Sequence, residues 1–286
     1  MSFTRPDGRG NEDKRPLHII YERLDRVDGS ARFGFGDTKA LASVSGPIEV
    51  RLAAEQPSKA TFDVTVRPLS SLPGTESKAL ATSLRGLLSP SLILSRNPRT
   101  LLQLVVQSLT PSPIESYPPS LAAACINASS LALLNAGSIP MTGVVCAAGV
   151  ALFRSTTEED IPALVLDPSE SESREAVGCG CFAFLFRTEI AGSQPLPTND
   201  TPGARLVWTN WHVKDGTSDD GELARAQALG LAGAETIWRA IKQSVPQMDN
   251  LPPPPLPSRS TAGELGIITQ SDEVSDQDMN DAKIEI

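Results

Sequence analysis

Gly29-Ser-Ala-Arg-Phe-Gly-Phe-Gly-Asp-Thr-Lys-Ala-Leu-Ala-Ser-Val-Ser-Gly-Pro-Ile-Glu-Val-Arg51 is the stretch whose reading decides the fold. Phe33 and Phe35 alternate with small residues, Gly36-Asp37 interrupts the run, and Leu41 and Val44 resume an apolar pattern. Alternation of period two on both sides of a Gly-Asp break predicts two adjacent strands joined by a tight turn. Upstream, His18 to Arg23 reads as a further strand, with Asp28-Gly29 as the hairpin turn between them. Downstream, Phe62-Asp-Val-Thr-Val-Arg67 alternates and stops at Pro68, so it is another strand, reached through a Pro57-containing loop over Glu55 to Lys59.

Helical spacing follows. Leu80, Leu84, Leu87 and Leu88 share one face of Thr75 to Leu88, and Pro73-Gly74 precedes the start. Thr100 to Leu109 is apolar and β-rich until Thr-Pro-Ser-Pro at 110–113 breaks it. Pro118 to Asn135 reads as a small-residue helix that stops at Gly137 and packs closely on a sheet. Strands are expected over Thr142 to Phe153, Ala163 to Leu166, Val177 to Phe186 and Arg205 to Val213. A charged turn over Thr156 to Asp160 and a long polar loop over 187–201 separate some of them. Asp219-Asp-Gly-Glu222 opens a last helix whose apolar stripe is Leu223, Ala226, Gly230, Gly233, Ile237 and Ile241. Strands, helix, strand, helix, strands, helix is an α+β order rather than a regular βαβ alternation. Four prolines at 252–255 end the pattern. The expected division is therefore a folded domain over 1–248 and a Pro-rich, then acidic, disordered tail over 249–286. The proline run reads either as a stiff spacer or as a ligand for an aromatic groove.

Composition narrows the class. A hydrophobic fraction of 40% supports a core, and with only 5% aromatics that core is mostly Leu, Val, Ile and Ala. The net charge of −9 argues against a free-standing nucleic-acid binder. The charge is uneven, however. Residues 249–286 hold eight acidic and two basic residues, a charge of −6, which leaves −3 on the other 248. A nearly balanced domain can still carry a local basic stripe. Met1 to Lys14 is charged and polar, unlike a signal peptide, and no apolar run approaches the roughly 20 residues that span a membrane. The Asn127 and Asn199 sequons are therefore read as chance matches. Cys125, Cys146, Cys179 and Cys181 lie in apolar runs without paired zinc spacing, which fits a reducing compartment. Cys179-Gly-Cys181 reads either as a metal or redox pair or, more simply, as two small residues on one face of a strand. His18 and His212 fall in strands, neither is read as pairing with a nearby Ser or Cys in a recognisable nucleophile setting, and both are expected to be structural.

The Gly29–Arg51 hairpin, with its Gly-Ser-Ala entry and Gly-Pro-Ile-Glu-Val-Arg exit, resembles the first hairpin of the RNase PH family, phosphorolytic 3′ exoribonucleases and their exosome relatives. Arg5-Pro-Asp-Gly-Arg9 and Arg15-Pro-Leu resemble that family's opening, and Ser130-Leu-Ala-Leu-Leu-Asn-Ala-Gly137 resembles the end of its central helix. The resemblance covers about residues 5 to 245 and implies an RNase PH-like fold of mixed sheets packed with helices.

Phosphorolysis requires a phosphate site, a group that stabilises the departing oxygen, and a clamp on the RNA backbone. Active family members carry Gly-Thr-Arg or a close variant where this chain has Ser120, Leu121 and Ala122. The arginine fork is therefore absent, and Ser120 is expected to be only a helix N-cap. The family's two carboxylate positions after Leu-Asp fall at Ser171 and Val177. Glu170, Glu172 and Glu175 are near but off register, which on a strand means the wrong face, and Asp167 is expected to cap a turn before Pro168. A basic element remains. Asn97-Pro-Arg99-Thr100 resembles the family segment whose arginine contacts RNA backbone, so Arg99, with Arg96 beside it, is read either as an RNA contact or as a solvated loop pair. Arg85 occupies a position where the family usually has an arginine, although Thr82 and Ser83 replace its usual neighbour, and Lys78 lies seven residues away on a similar face.

A retained fold with a dismantled site implies, by this resemblance, a non-catalytic structural and channel subunit of the six-membered RNase PH-type ring of the eukaryotic exosome. The expected partners are other RNase PH-type ring subunits, cap subunits and single-stranded RNA, with no membrane, metal or cofactor. Nuclear, nucleolar and cytoplasmic localisation follows by the same implication. The alternative is a phosphate-dependent 3′-to-5′ exoribonuclease whose site has been rebuilt around Arg85, Arg99 and a carboxylate such as Glu172 or Glu175.

Overall fold

The quoted hairpin forms as its alternation dictates. Strands β2 (Gly29–Phe35) and β3 (Thr38–Glu49) pair antiparallel, with Phe35 opposite Thr38, so Gly36-Asp37 is a two-residue turn. Gly36 has φ +54°, a value that costs glycine little. The computed structural model describes residues 5–70, 72–111, 117–154, 162–187, 203–214 and 220–249. The expectations for 156–160, 188–201 and the tail from 250 onward lie outside the described residues.

β2 and β3 are central to a five-stranded sheet of order β1-β2-β3-β5-β4, where β1 is Leu17–Glu22, β4 is Thr61–Arg67 and β5 is Thr100–Ser108. Only β4 and β5 pair in parallel. The crossover between them contains α1 (Thr75–Leu88), whose buried Leu80, Leu84, Leu87 and Leu88 are the predicted stripe. Alternation along β4 and β5 turns Phe62, Val64, Val66, Leu102, Leu104 and Val106 inward. Asp28-Gly29 is not the first turn. Glu22 pairs with Ser30, so residues 23–28 make the loop and Gly29 already belongs to the ladder.

The second sheet runs β10-β8-β6-β7, with β9 also on β8. Its members are β6 (Val144–Phe153), β7 (Ala163–Leu166), β8 (Gly178–Arg187), β9 (Gly203–Thr209) and β10 (His212–Val213). The single strand expected over 205–213 is thus two pieces. Between them Asn210 departs from regular pairing, and its Oδ1 accepts the Cys181 backbone N–H at 2.6 Å. Helix α2 (Pro119–Ala136) packs against β2, β3 and β5 of the first sheet and β6 and β8 of the second. Such a helix has no polar face to keep. Every residue from Pro119 to Leu133 is buried, which explains both its small apolar composition and a length and hydropathy that would also suit a membrane span. Asn127 is held inside, donating to and accepting from Ala147 at 2.9 and 2.8 Å, so its sequon is unusable in the fold. Helix α4 (Asp220–Ser244) packs on β6, β7 and β8 with the expected stripe at Ala226, Gly230, Gly233, Ile237 and Ile241. Two helices were not expected, α3 (Glu170–Glu175) and the four-residue α5 (Pro246–Asp249).

Candidate functional site

The positions matched to the family's phosphate site lie in the first turn of α2, and they are closed. Ser120, Leu121 and Ala122 are each no more than 2% exposed. Ser120 is not the N-cap. Pro118 holds that place without a side-chain bond, and Ser120 Oγ instead donates to the Pro168 carbonyl at 2.7 Å. Proline at N1 removes one of the N–H groups that would face an anion. Gly149 of β6 lets the strand approach this turn. A Cβ there would meet Pro119 C and Ser120 N at 2.9 Å. The Asp167 N–H donates to the Gly149 carbonyl at 2.9 Å, which ties the 167–168 corner to the same strand.

The acidic side is also occupied. The expected strand-like register is replaced by α3, whose capping box joins Ser169 and Glu172 reciprocally. Ser171 is exposed on this helix, and Val177 lies just before β8 with its N–H donating to Leu152 O. Neither position forms a carboxylate site. Glu172 is buried, and the Arg5 guanidinium grips it with two bonds, from Nε at 2.9 Å and Nη2 at 3.0 Å. The remaining Arg5 donors reach the carbonyls of Leu166, Asp167 and Asp13 at 2.9, 3.0 and 3.0 Å, so this fully enclosed side chain is saturated. Burial pushes the Glu172 carboxyl up, but hydrogen bonds from Arg5 and the Ser169 backbone, with the Arg5 charge, outweigh it and hold the group below its ordinary range.

Asp167 is not a turn cap. It sits at φ +50°, 1% exposed, with its carboxylate held by Arg15 through the backbone N–H (2.9 Å), Nε (2.8 Å) and Nη2 (2.6 Å). Arg9 adds Nη1 at 3.5 Å from Asp167, and its Nη2 is 3.8 Å from Glu172, close enough for charge but not for a hydrogen bond. Three arginines from the amino-terminal segment thus meet two buried carboxylates. Both carboxylates are engaged by guanidinium groups, which leaves little capacity for a metal or for proton transfer. Glu170 and Glu175 face solvent, with Glu170 paired to Arg174 within one helix. Among the described residues no group of three or more His, Cys, Asp or Glu could hold a metal ion.

The four cations singled out for RNA are all exposed. Arg85 of α1 reaches Asp63 of β4 at 2.9 Å, and Arg99 is 3.3 Å from Glu55. Arg99 lies at φ +62°, an uncommon backbone region for a side chain of this size, fixed where its N–H donates to Gln56 O. That bond, with Ala60 N–H to Leu94 O, places the 51–60 loop beside Arg96 and Arg99. Exposed Lys59, missed in the sequence because its loop has no periodicity, joins this rim. Asp63 pairs with Gln103, so Arg85 lies toward the same end of the sheet. Lys78 is about 10 Å further along α1. Lys78 and Arg96 make no ion pair among the described residues.

A profile of the RNase PH family, described as the 3′ exoribonuclease family, domain 1, matches residues 13–138. The chain is also 30% identical over 237 residues to the Exosome complex exonuclease RRP46 homolog of Oryza sativa, across 83% of this chain and 93% of the relative. The chain belongs to the RNase PH family. Exosome complex component RRP46 of Saccharomyces cerevisiae is 31% identical over 164 residues, 57% of this chain and 71% of that protein. In architecture, the RNase PH fold here matches the crystal structure of rice Rrp46 with a TM-score of 0.67 at 24% identity, over 84% of this chain and all of the other.

Proposed function

We propose that this chain is a non-catalytic structural and channel subunit of the six-membered RNase PH-type ring of the eukaryotic RNA exosome, supporting 3′-to-5′ RNA processing and decay. The observation that carries the reading is the closure of the family's reaction site. Its phosphate turn is buried at Ser120, Leu121 and Ala122, and its nearby carboxylates are engaged by Arg5, Arg9 and Arg15. The partners would be other RNase PH-type subunits, cap subunits and single-stranded RNA. Exposed Lys59, Lys78, Arg85, Arg96 and Arg99 would meet RNA backbone, where several subunits sum a local positive field despite a net charge of −9. The protein would work in the nucleus, the nucleolus and the cytoplasm.

The enzyme reading draws support from the family's description as 3′ exoribonucleases and from the naming of the rice and Arabidopsis relatives as exosome exonucleases. Under it, Arg85 and Arg99 would clamp RNA, and either Glu172 would have to leave Arg5 or solvent-facing Glu175 would have to act. Co-expression with RNase PH-type ring subunits tests the proposal. Recovery of a stable ring, with RNA protected along its channel and protection lowered by charge reversal at Arg96 and Arg99, is the expected result. A chain that stays apart from such subunits would overturn it.

A further inference from the structure

Cys179 stands apart from the other three cysteines. Cys125, Cys146 and Cys181 are fully enclosed, and burial raises their thiols, that of Cys125 to about 12. Cys179 is the second residue of β8, 6% exposed and directly opposite His212 of β10. Its Sγ is 3.5 Å from His212 Nε2, within hydrogen-bond reach for sulfur. This pairing corrects the expectation that His212 has no cysteine beside it.

The imidazole is oriented. His212 Nδ1 is 3.4 Å from the Asn210 carbonyl oxygen. A carbonyl only accepts, so a hydrogen bond here needs the proton on Nδ1, the tautomer that leaves Nε2 to accept from the thiol. Asn210 is itself fixed, since its N–H donates to Cys181 O at 3.3 Å and its Oδ1 accepts the Cys181 N–H. Lys214, anchored by Nζ on the Arg174 carbonyl at 2.7 Å, brings a positive charge near the sulfur. Burial pushes the Cys179 thiol up, and that charge partly offsets it. His212 is exposed, and Cys179 beneath it is buried but keeps 6% of its surface open, so a reagent would have to approach from the His212 side. None of these groups belongs to the arginine cluster.

We infer that Cys179 is a modification site for small thiol-reactive molecules, low-molecular-weight disulfides in particular, with His212 as the base that takes its proton. The S–H proton moves to Nε2, and the thiolate attacks one sulfur of the disulfide. A new S–S bond forms, the old one breaks, and the departing thiolate recovers the proton from the imidazolium. Cys179 is oxidised, and one half of the disulfide leaves as a reduced thiol.

The test treats the folded full chain separately with iodoacetamide and with oxidised glutathione, followed by peptide mapping against time. Cys179 should take each reagent before the other three cysteines, by at least roughly tenfold, and His212→Asn should slow it by about tenfold or more. Simultaneous labelling of all four cysteines, or none before unfolding, overturns the site. Alkylation without glutathione uptake overturns the disulfide assignment, and an unchanged rate in His212→Asn overturns the base. The labelling order is read on the wild-type chain, so it decides even where the variant does not fold.

Discussion

Two charged regions of the domain differ in what surrounds their charges. At the start of α2, the Arg5, Arg15, Asp167 and Glu172 side chains are buried or nearly so and grip one another. Around α1 and the entry to β5, the Lys78, Arg96 and Arg99 side chains stand in solvent. A buried guanidinium and carboxylate that saturate each other are structure, because neither can leave without stranding a charge. Exposed cations add little to stability, yet they are free to meet phosphate. The chain therefore keeps its charges for cohesion in one place and leaves them open to solvent in the other.

The contrast breaks most visibly at Arg5. Arg5→Ala would strand the buried Glu172 carboxylate and the backbone carbonyls of Gly10, Asp13, Leu166 and Asp167, and should cost about 3–5 kcal/mol in urea unfolding. A loss below about 1 kcal/mol would place this cluster among the dispensable surface pairs. Gly149→Ala should be next, at about 1–3 kcal/mol, because the added methyl meets rigid backbone at Pro119 and Ser120. Thermal melting of the variant measures this, and an unchanged midpoint would mean the turn has room to spare.

Acid should separate the regions more gently. The Glu172 carboxyl is held below its ordinary value of 4.5, so its contribution is complete above that value and disappears as pH falls through the folded-state value. Wild-type unfolding free energy should therefore drop on acidification below about pH 4.5, and Glu172→Gln should flatten that part of the curve. The smallest effect on stability belongs to the open rim. Arg96→Ala and Lys78→Ala should stay within about 0.5 kcal/mol of wild type while weakening single-stranded RNA binding and lowering its salt slope by about one per cation. An equal loss of stability and binding would erase the distinction between the two regions.

Local pattern carried much of the fold. The α1 boundaries were legible because four leucines share one face after Pro73-Gly74, and the β2–β3 turn because Gly36-Asp37 interrupts an alternation. α3 was missed because six residues are under two turns, too short for periodicity, although Ser169 and Glu172 at capping-box spacing were a usable signal. At the site the sequence showed only which groups are missing by the family resemblance, with no arginine at Ala122 and no acid at Ser171 or Val177. What fills it was not legible, since Arg5 and Glu172 are 167 positions apart and no local rule pairs them. Cys179 and His212 were hidden likewise, because their register depends on the strand break at Asn210.

RNA decay by the purified chain, alone and within a reconstituted ring, with and without inorganic phosphate, tests the central claim most directly. The closed site predicts no phosphate-dependent release of nucleoside diphosphates in either state, alongside stable ring assembly. Phosphate-dependent release that disappears in a Glu172→Gln chain that still folds would contradict it, because a saturated structural pair would then be acting as the reaction centre.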